Sequence, residues 1–192
     1  MRYHDPIGRK NAFRDVLPEI HSFKTKAYFQ SSKYDEALHF IVISIDMAEK
    51  ENNNEQLVSS LLTQGAILAQ LGRKREALPP FSRAYELLSN KTDSNSMESK
   101  IRVAINLGNV LKNMRNFKRA IEVFQEGIEI AQQRGESSML AILYSNLSLV
   151  YAEVNDFGAQ RKMLWQAYHI MPENNPKRAS ILMSMASTFK HE

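Results

Sequence analysis

Cysteine is absent from this 192-residue chain, so disulfide frameworks, thiol nucleophiles and cysteine-based zinc or iron–sulfur sites are excluded at the outset. Glycine and proline are scarce, at seven and six residues. An all-β sandwich or barrel needs turn residues about every 8–12 positions and is disfavoured on that count. No apolar run approaches the ~18 residues of a membrane span, and the N-terminus lacks the apolar stretch of a secretory signal. The Gly-rich phosphate loops are missing, and no serine sits in a nucleophile elbow. The five histidines, His4, His21, His39, His169 and His191, never stand at i, i+4 to one another. With no acidic cluster at ligand spacing either, neither a metal site nor a cofactor is expected, and an enzyme is the least favoured class.

What is present looks like a folded protein: 43% hydrophobic and 24% charged residues exclude wholesale disorder. The length suits one globular core or a short repeat array. Charge is uneven. Residues 1 to 33 carry seven Lys or Arg against three acids, whereas the remaining 159 residues balance 18 against 18. A nucleic-acid domain spreads its positive charge along a face or helix, so no nucleic-acid partner is expected, and no membrane. Three acids interrupt the basic N-terminal run, a poor match to a mitochondrial presequence. Cytoplasmic is the default.

An internal repeat decides the fold. From Gly65, Ala77 follows at +12, Phe81 at +16 and Ala84 at +19; from Gly108 the same offsets give Ala120, Phe124 and Gly127. From Ser148 they give Gln160, Leu164 and Ala167, and from Thr25, Ala37, Ile41 and Ser44. The residue at +3 is bulky throughout: Tyr28, Leu68, Leu111 and Tyr151. The references lie 40, 43 and 40 residues apart. Apolar residues at spacings of three and four, such as Ala104, Leu107 and Leu111, make each unit two helices joined by a tight turn. Asn52 with Glu55, Asn53 with Gln56 and Asn95 with Glu98 have capping-box spacing. Pro79 and Pro80 are expected in the first turn of a second helix, where the missing amides cost nothing and the helix start is fixed.

These residues resemble the tetratricopeptide repeat in order and spacing, over roughly residues 18 to 190. The period exceeds the usual ~34 residues, and Trp165 stands in a second helix where the family often has Trp in the first. In this the chain is similar to the long-period repeats of kinesin light chains, spindle-orientation scaffolds and peptide-pheromone receptors. HEAT repeats share the period but lack the Gly, Ala, aromatic, Ala offsets. The resemblance implies an all-α, right-handed α-solenoid of four helix pairs plus a C-terminal helix. The expected organisation is a basic arm over 1–17, then an array over 18–190 with units at about 18–51, 55–91, 96–135 and 137–172 and a final helix at 176–190. Stacked helix pairs bury a face that one pair alone cannot.

One polar pattern stands out. Arg102, Asn106, Asn109 and Asn113 fall at i, i+4, i+7 and i+11 of a first helix, opposite Ala104, Leu107 and Leu111. Corresponding stripes run Ser59, Thr63, Ala66, Gln70 and Ser180, Ser184, Ser187, His191, and Asn146 is the equivalent of Asn106. Asparagine offers both donor and acceptor, which suits a peptide backbone. The resemblance implies that first helices line a concave groove, in which Asn106, Asn109 and Asn146 hold a ligand peptide. Arg102 and Lys112 flank the stripe, so an acidic ligand is expected. The function that follows is a non-enzymatic adaptor or scaffold binding a peptide or helical segment. The alternatives are a peptide-sensing domain of a regulator and a structural subunit of an assembly. In the last helix, Leu182, Met185 and Phe189 are expected to pack on Leu164 and Ala167, leaving Ile181 and Met183 partly exposed as an edge that either contacts another chain, self-association included, or belongs to a longer array.

Overall fold

The structure, a computed structural model, describes Leu17 and residues 20–189, and every structural statement concerns these. Apart from Leu17, the arm expected over 1–17 lies outside the described residues, as does His191. All the regular structure described is helical: α1 (20–30), α2 (Tyr34–Lys50), α3 (Asn54–Gln70), α4 (Lys74–Leu88), α5 (Ser94–Asn113), α6 (Phe117–Arg134), α7 (Ser137–Glu153), α8 (Phe157–Ile170) and α9 (Lys177–Thr188). Odd-numbered helices are the first of each repeat and even-numbered helices the second.

The turn inside each helix pair is one device used four times. Ser32, Gly72, Arg115 and Asn155 all take the left-handed conformation, with φ of 56°, 72°, 61° and 59°. The amide of the next residue then reaches back to the carbonyl of the bulky +3 residue. Lys33 bonds Tyr28, Arg73 bonds Leu68, Asn116 bonds Leu111 and Asp156 bonds Tyr151, each at 2.9 Å. This satisfies a carbonyl that the helix end leaves orphaned. Only one of the four positions is glycine, so three side chains are held in a conformation that costs them about 1–2 kcal/mol. On the far side of the turn, Asn116 Oδ1 accepts from the Arg119 amide at 3.4 Å and Asp156 Oδ1 from Ala159 at 2.9 Å, capping α6 and α8.

Two local expectations are corrected. Asn53 caps α3, its Oδ1 accepting from the Gln56 amide at 3.0 Å, but Asn52 sits at φ 52° in the preceding turn. Asn95 lies inside α5, whose cap is Asp93, accepting from Ser96 at 2.9 Å. Asp93 can do this because its β-region backbone (φ −69°, ψ 158°) aims the carboxylate along the helix axis. The prolines also lie deeper than expected. The helix begins at Lys74, so Pro79 and Pro80 are in its second turn, where the carbonyls of Arg75 and Glu76 lose their usual donors.

The backbone falls into two compact units divided at Leu87 and Leu88. In the first, α2 packs on α3. Ala37, Ile41 and Ile67 form a buried cluster against which Tyr28, Phe29, Tyr34, Leu38 and Leu71 pack. Gly65 lies under the Phe81 ring, where an added Cβ would stand 2.5 Å from Cζ. In the second, α5 to α9 pack in sequence, each on the next, and α5 also touches α7. Gly108 lies under Phe124, and Gly127 fits between Ala104 and Leu143. The paired positions are filled by complementary volumes: Thr25 with Ile41, Gly65 with Phe81, Gly108 with Phe124 and Ser148 with Leu164, all buried. A constant gap between helix axes requires that sum to hold.

The last helix departs from the expected packing at three positions: Ile181 is buried, together with Thr188, whereas Leu182 and Phe189 are 45% and 61% exposed; Met185 is half-buried, and Met183 is exposed, as expected. Both faces carry apolar residues at spacings of three and four. Which one is covered depends on the side from which α8 approaches, and the Arg178 guanidinium fixes that side. It donates to the Met171 carbonyl at 2.7 Å and lies 3.9 Å from the Tyr168 ring centroid.

Candidate functional site

The candidate stripe sits on α5, whose buried residues, Ile101, Val103, Ala104, Leu107, Gly108, Val110 and Leu111, occupy the opposite face. Arg102 and Asn113 are exposed, and Asn106 and Asn109 half-buried. The Asn106 amide nitrogen donates to the Arg102 carbonyl at 2.9 Å. That bond uses part of the amide's capacity and orients the rest. Lys112 is half-buried and already engaged in an interaction; one residue from Asn113 on a helix, it is turned about 100° away from that side chain. Asn146 stands half-buried on α7, the helix that touches α5 directly. Thr63 belongs to α3 in the first compact unit, where its hydroxyl donates to the Ser59 carbonyl at 2.9 Å.

Applying the α5 offsets to α7 exposes residues that the sequence reading passed over. The positions equivalent to Arg102, Asn106, Asn109 and Asn113 are Ile142, Asn146, Leu149 and Glu153. Ile142 and Leu149 are 42% and 48% exposed. The same helix face therefore changes from polar on α5 to apolar around a central asparagine on α7. In α9 the matching positions are Ser180, Ser184 and Ser187, whose hydroxyls donate to carbonyls of their own helix at 2.7–2.9 Å. Hydrophobic patterning hides Ile142 and Leu149, because α7 is apolar nearly all round and periodicity cannot mark its wet face.

A concavity of about 390 Å³ lies wholly in the first unit, lined by Leu38, Val42 and Gln64 with Pro79, Pro80 and Arg83 of α4, among others. Arg73 and Glu76 at its rim pair in two hydrogen bonds. The Arg73 hydrogen bond holds the Glu76 carboxyl below its ordinary value and raises the guanidinium in turn. Arg83 pairs with Glu49 across α2 and α4. Among the described residues no group of three or more His, Asp or Glu side chains could hold a metal ion, and no helix is long and apolar enough to cross a membrane.

The repeated helix pairs, the left-handed turns and the small-over-large contacts define an all-α helix-repeat protein of the solenoid class. A family model for the tetratricopeptide repeat matches residues 101–134, the α5–α6 pair. A second, for anaphase-promoting complex subunit 5, matches residues 21–109. Among solved structures, the MamA protein superposes with a TM-score of 0.70 at 15% identity, over 92% of this chain and 82% of that one. The kinesin light chain-like repeats of Podosopora anserina give 0.73 at 15% identity, over 92% and 87%. The apo form of RapI gives 0.79 at 13% identity, over 92% of this chain and 49% of that one. Curated protein sequences gave no match. Residues 101–134 thus match a tetratricopeptide repeat, and the chain has the fold of tetratricopeptide-repeat solenoids.

Proposed function

We propose that this chain is a non-enzymatic, cytoplasmic adaptor whose repeats, spanning about 18–190, hold a peptide or helical segment of another protein along the first helices. The fold is that of protein–protein interaction scaffolds. The observation that carries the finer reading is the α5–α7 face: Arg102, Asn106, Asn109 and Asn113 beside Ile142, Asn146 and Leu149, polar and apolar in one register on two touching helices. Asparagine is a mediocre helix former, so its repeated use on one face calls for a reason beyond the helix. Amides supply donor and acceptor to a ligand backbone, and the exposed aliphatic residues supply the apolar contact that fixes side-chain preference. Thr63 would serve the same role on α3. Arg102, with Lys112 beside the stripe, favours an acidic ligand whose affinity falls as salt rises. Association of copies through the last helix is part of this proposal.

The test is a peptide array probed with the full chain, followed by fluorescence anisotropy on the peptides retained. The Asn106→Ala, Asn109→Ala double variant should bind about 2–4 kcal/mol more weakly at unchanged melting temperature, because ligand-bonded amides are lost without loss of core. Equal affinity of the double variant, or a set of cationic peptides, would count against the groove. The match of residues 21–109 to a subunit of the anaphase-promoting complex favours a second reading, that of a structural subunit. Under it no free peptide is retained and the chain is stabilised only by a large partner.

A further inference from the structure

The first helices of the third and fourth repeats are covered in the same order. Residues 101–108 of α5 and 141–148 of α7 show one sequence of buried, half-buried and exposed positions, so residues forty apart occupy equivalent places on the two helices. What differs is the chemistry of the outward places. On α7 these are Ile142, Asn146, Leu149 and Glu153, at spacings of four, three and four. That is the spacing of a coiled-coil seam, with a single asparagine between two apolar residues. Ile142 and Leu149 are 42% and 48% exposed although α7 already packs on α5, α6 and α8.

The direction of this apolar pair decides the shape of the ligand it fits. Ile142 and Leu149 lie on one helix seven residues apart, about 10 Å along its axis. An extended chain laid across α5 and α7, advancing about 3.3 Å per residue, crosses α7 once and reaches one of the two. A helix laid along α7 reaches both. Its flank towards α5 then meets the amides of Asn106 and Asn109 and the Arg102 guanidinium, and a polar residue at its middle level meets Asn146, which is how an asparagine within an apolar seam fixes register. Arg102 is exposed, and no described residue pairs with its guanidinium; Glu98, one turn further out on α5, is not bonded to it. At the other end of the face stands Glu153, also exposed. An acidic ligand residue is therefore drawn to the Ile142 end and repelled from the Glu153 end.

Resting on the groove reading above, we infer that the ligand of the α5–α7 face is an amphipathic helix of a partner protein lying along α7. Two of its apolar residues, seven apart, sit at Ile142 and Leu149; a polar residue between them faces Asn146; and an acidic residue beside the apolar one at the Ile142 end pairs with Arg102.

The probes are two fluorescein-labelled peptides of about five helical turns carrying this pattern, one in each chain direction and each held helical by a lactam bridge on its outer side. Their controls are unbridged, with proline at a central outward position. Fluorescence anisotropy with the full chain should show micromolar binding of one direction, and its proline control should bind at least ~10-fold more weakly. Ile142→Arg and Leu149→Asn copy the α5 residues onto α7 at exposed positions, and each should weaken binding at least ~5-fold at unchanged melting temperature. Arg102→Glu should reverse the preference between the acidic peptide and one with lysine in that place. A proline control that binds equally, or affinity that depends on one of Ile142 and Leu149 but not the other, would show an extended ligand; the helix would then be overturned and the groove would stand. If neither these peptides nor any on an array is bound, the groove reading fails and this inference with it.

Discussion

Gly108→Ala is a small change for which helix propensity and packing give opposite answers. Gly108 is inside α5, and alanine in a helix interior is favoured over glycine by about 0.5–1 kcal/mol. The new Cβ, however, would stand 2.6 Å from Cε1 and Cζ of Phe124 and 2.9 Å from Cδ1, about 1 Å inside ordinary carbon–carbon contact. Phe124 is completely buried, alongside Ala120 and Val123 on its own helix, so the ring has no solvent to retreat into. Overpacking of this kind costs about 1–3 kcal/mol, leaving a net destabilisation of about 0.5–2 kcal/mol once propensity is subtracted. Gly158→Ala is the control: the nearest atom to its Cβ is Asp156 Oδ1 at 3.7 Å, and this variant should gain about 0.5 kcal/mol. Phe124→Leu alone should lose about 1–2 kcal/mol. Combined with Gly108→Ala it should lose about 1 kcal/mol less than the sum, because Ser148 with Leu164 already uses that balance of volumes. Equilibrium urea unfolding followed by circular dichroism, with the denaturant slope compared across variants, measures all four. Stabilisation by Gly108→Ala equal to that by Gly158→Ala, or strict additivity of the double variant, would refute the argument that ring contact sets the helix spacing.

Two further outcomes follow from the local geometry. Arg115 holds φ 61° where the second repeat has Gly72 at 72°, so Arg115→Gly should stabilise by about 0.5 kcal/mol after the added chain entropy is counted. Gly72→Ala, with nothing within 4 Å of the new Cβ, should destabilise by about 1 kcal/mol; thermal melts that move in the same direction for both would exclude backbone strain as the cause. Hydrogen bonds from the Ser96 side chain and amide hold the Asp93 carboxyl below its ordinary value, so its contribution is present above the ordinary aspartate range and is lost as pH falls through that range and below. Asp93→Asn keeps the capping acceptor and should flatten the fall in melting temperature between neutral pH and about pH 3, while Asp93→Ala should lower it at neutral pH already. An acid limb identical in Asp93→Asn and the parent would show that other carboxylates set it.

The repeat, and with it the helix pairs, is legible in the sequence because close helix packing restricts residue size at fixed intervals. Glycine at 65 and 108 with phenylalanine sixteen residues on states a contact in one dimension, and the structure shows rings resting on those glycines. The polar stripe of Arg102, Asn106, Asn109 and Asn113 is legible for a related reason: a helix with one strongly apolar face identifies its wet face by elimination. That logic fails where apolar residues surround the helix. On α7 and α9 the sequence offers more than one face at spacings of three and four, and only the neighbours choose between them. The approach of α8 buries Ile181 and Thr188 and leaves Leu182 and Phe189 in water, and it is the packing around α7 that leaves Ile142 and Leu149 exposed beside Asn146. Capping was likewise decided by backbone direction rather than residue type, since Asp93 and Asn95 are both good caps and only Asp93 has the extended backbone that aims its oxygen at a free amide. Spacing along the chain sets which residues can share a face; which face meets a neighbour is a property of two helices together and is written in neither one.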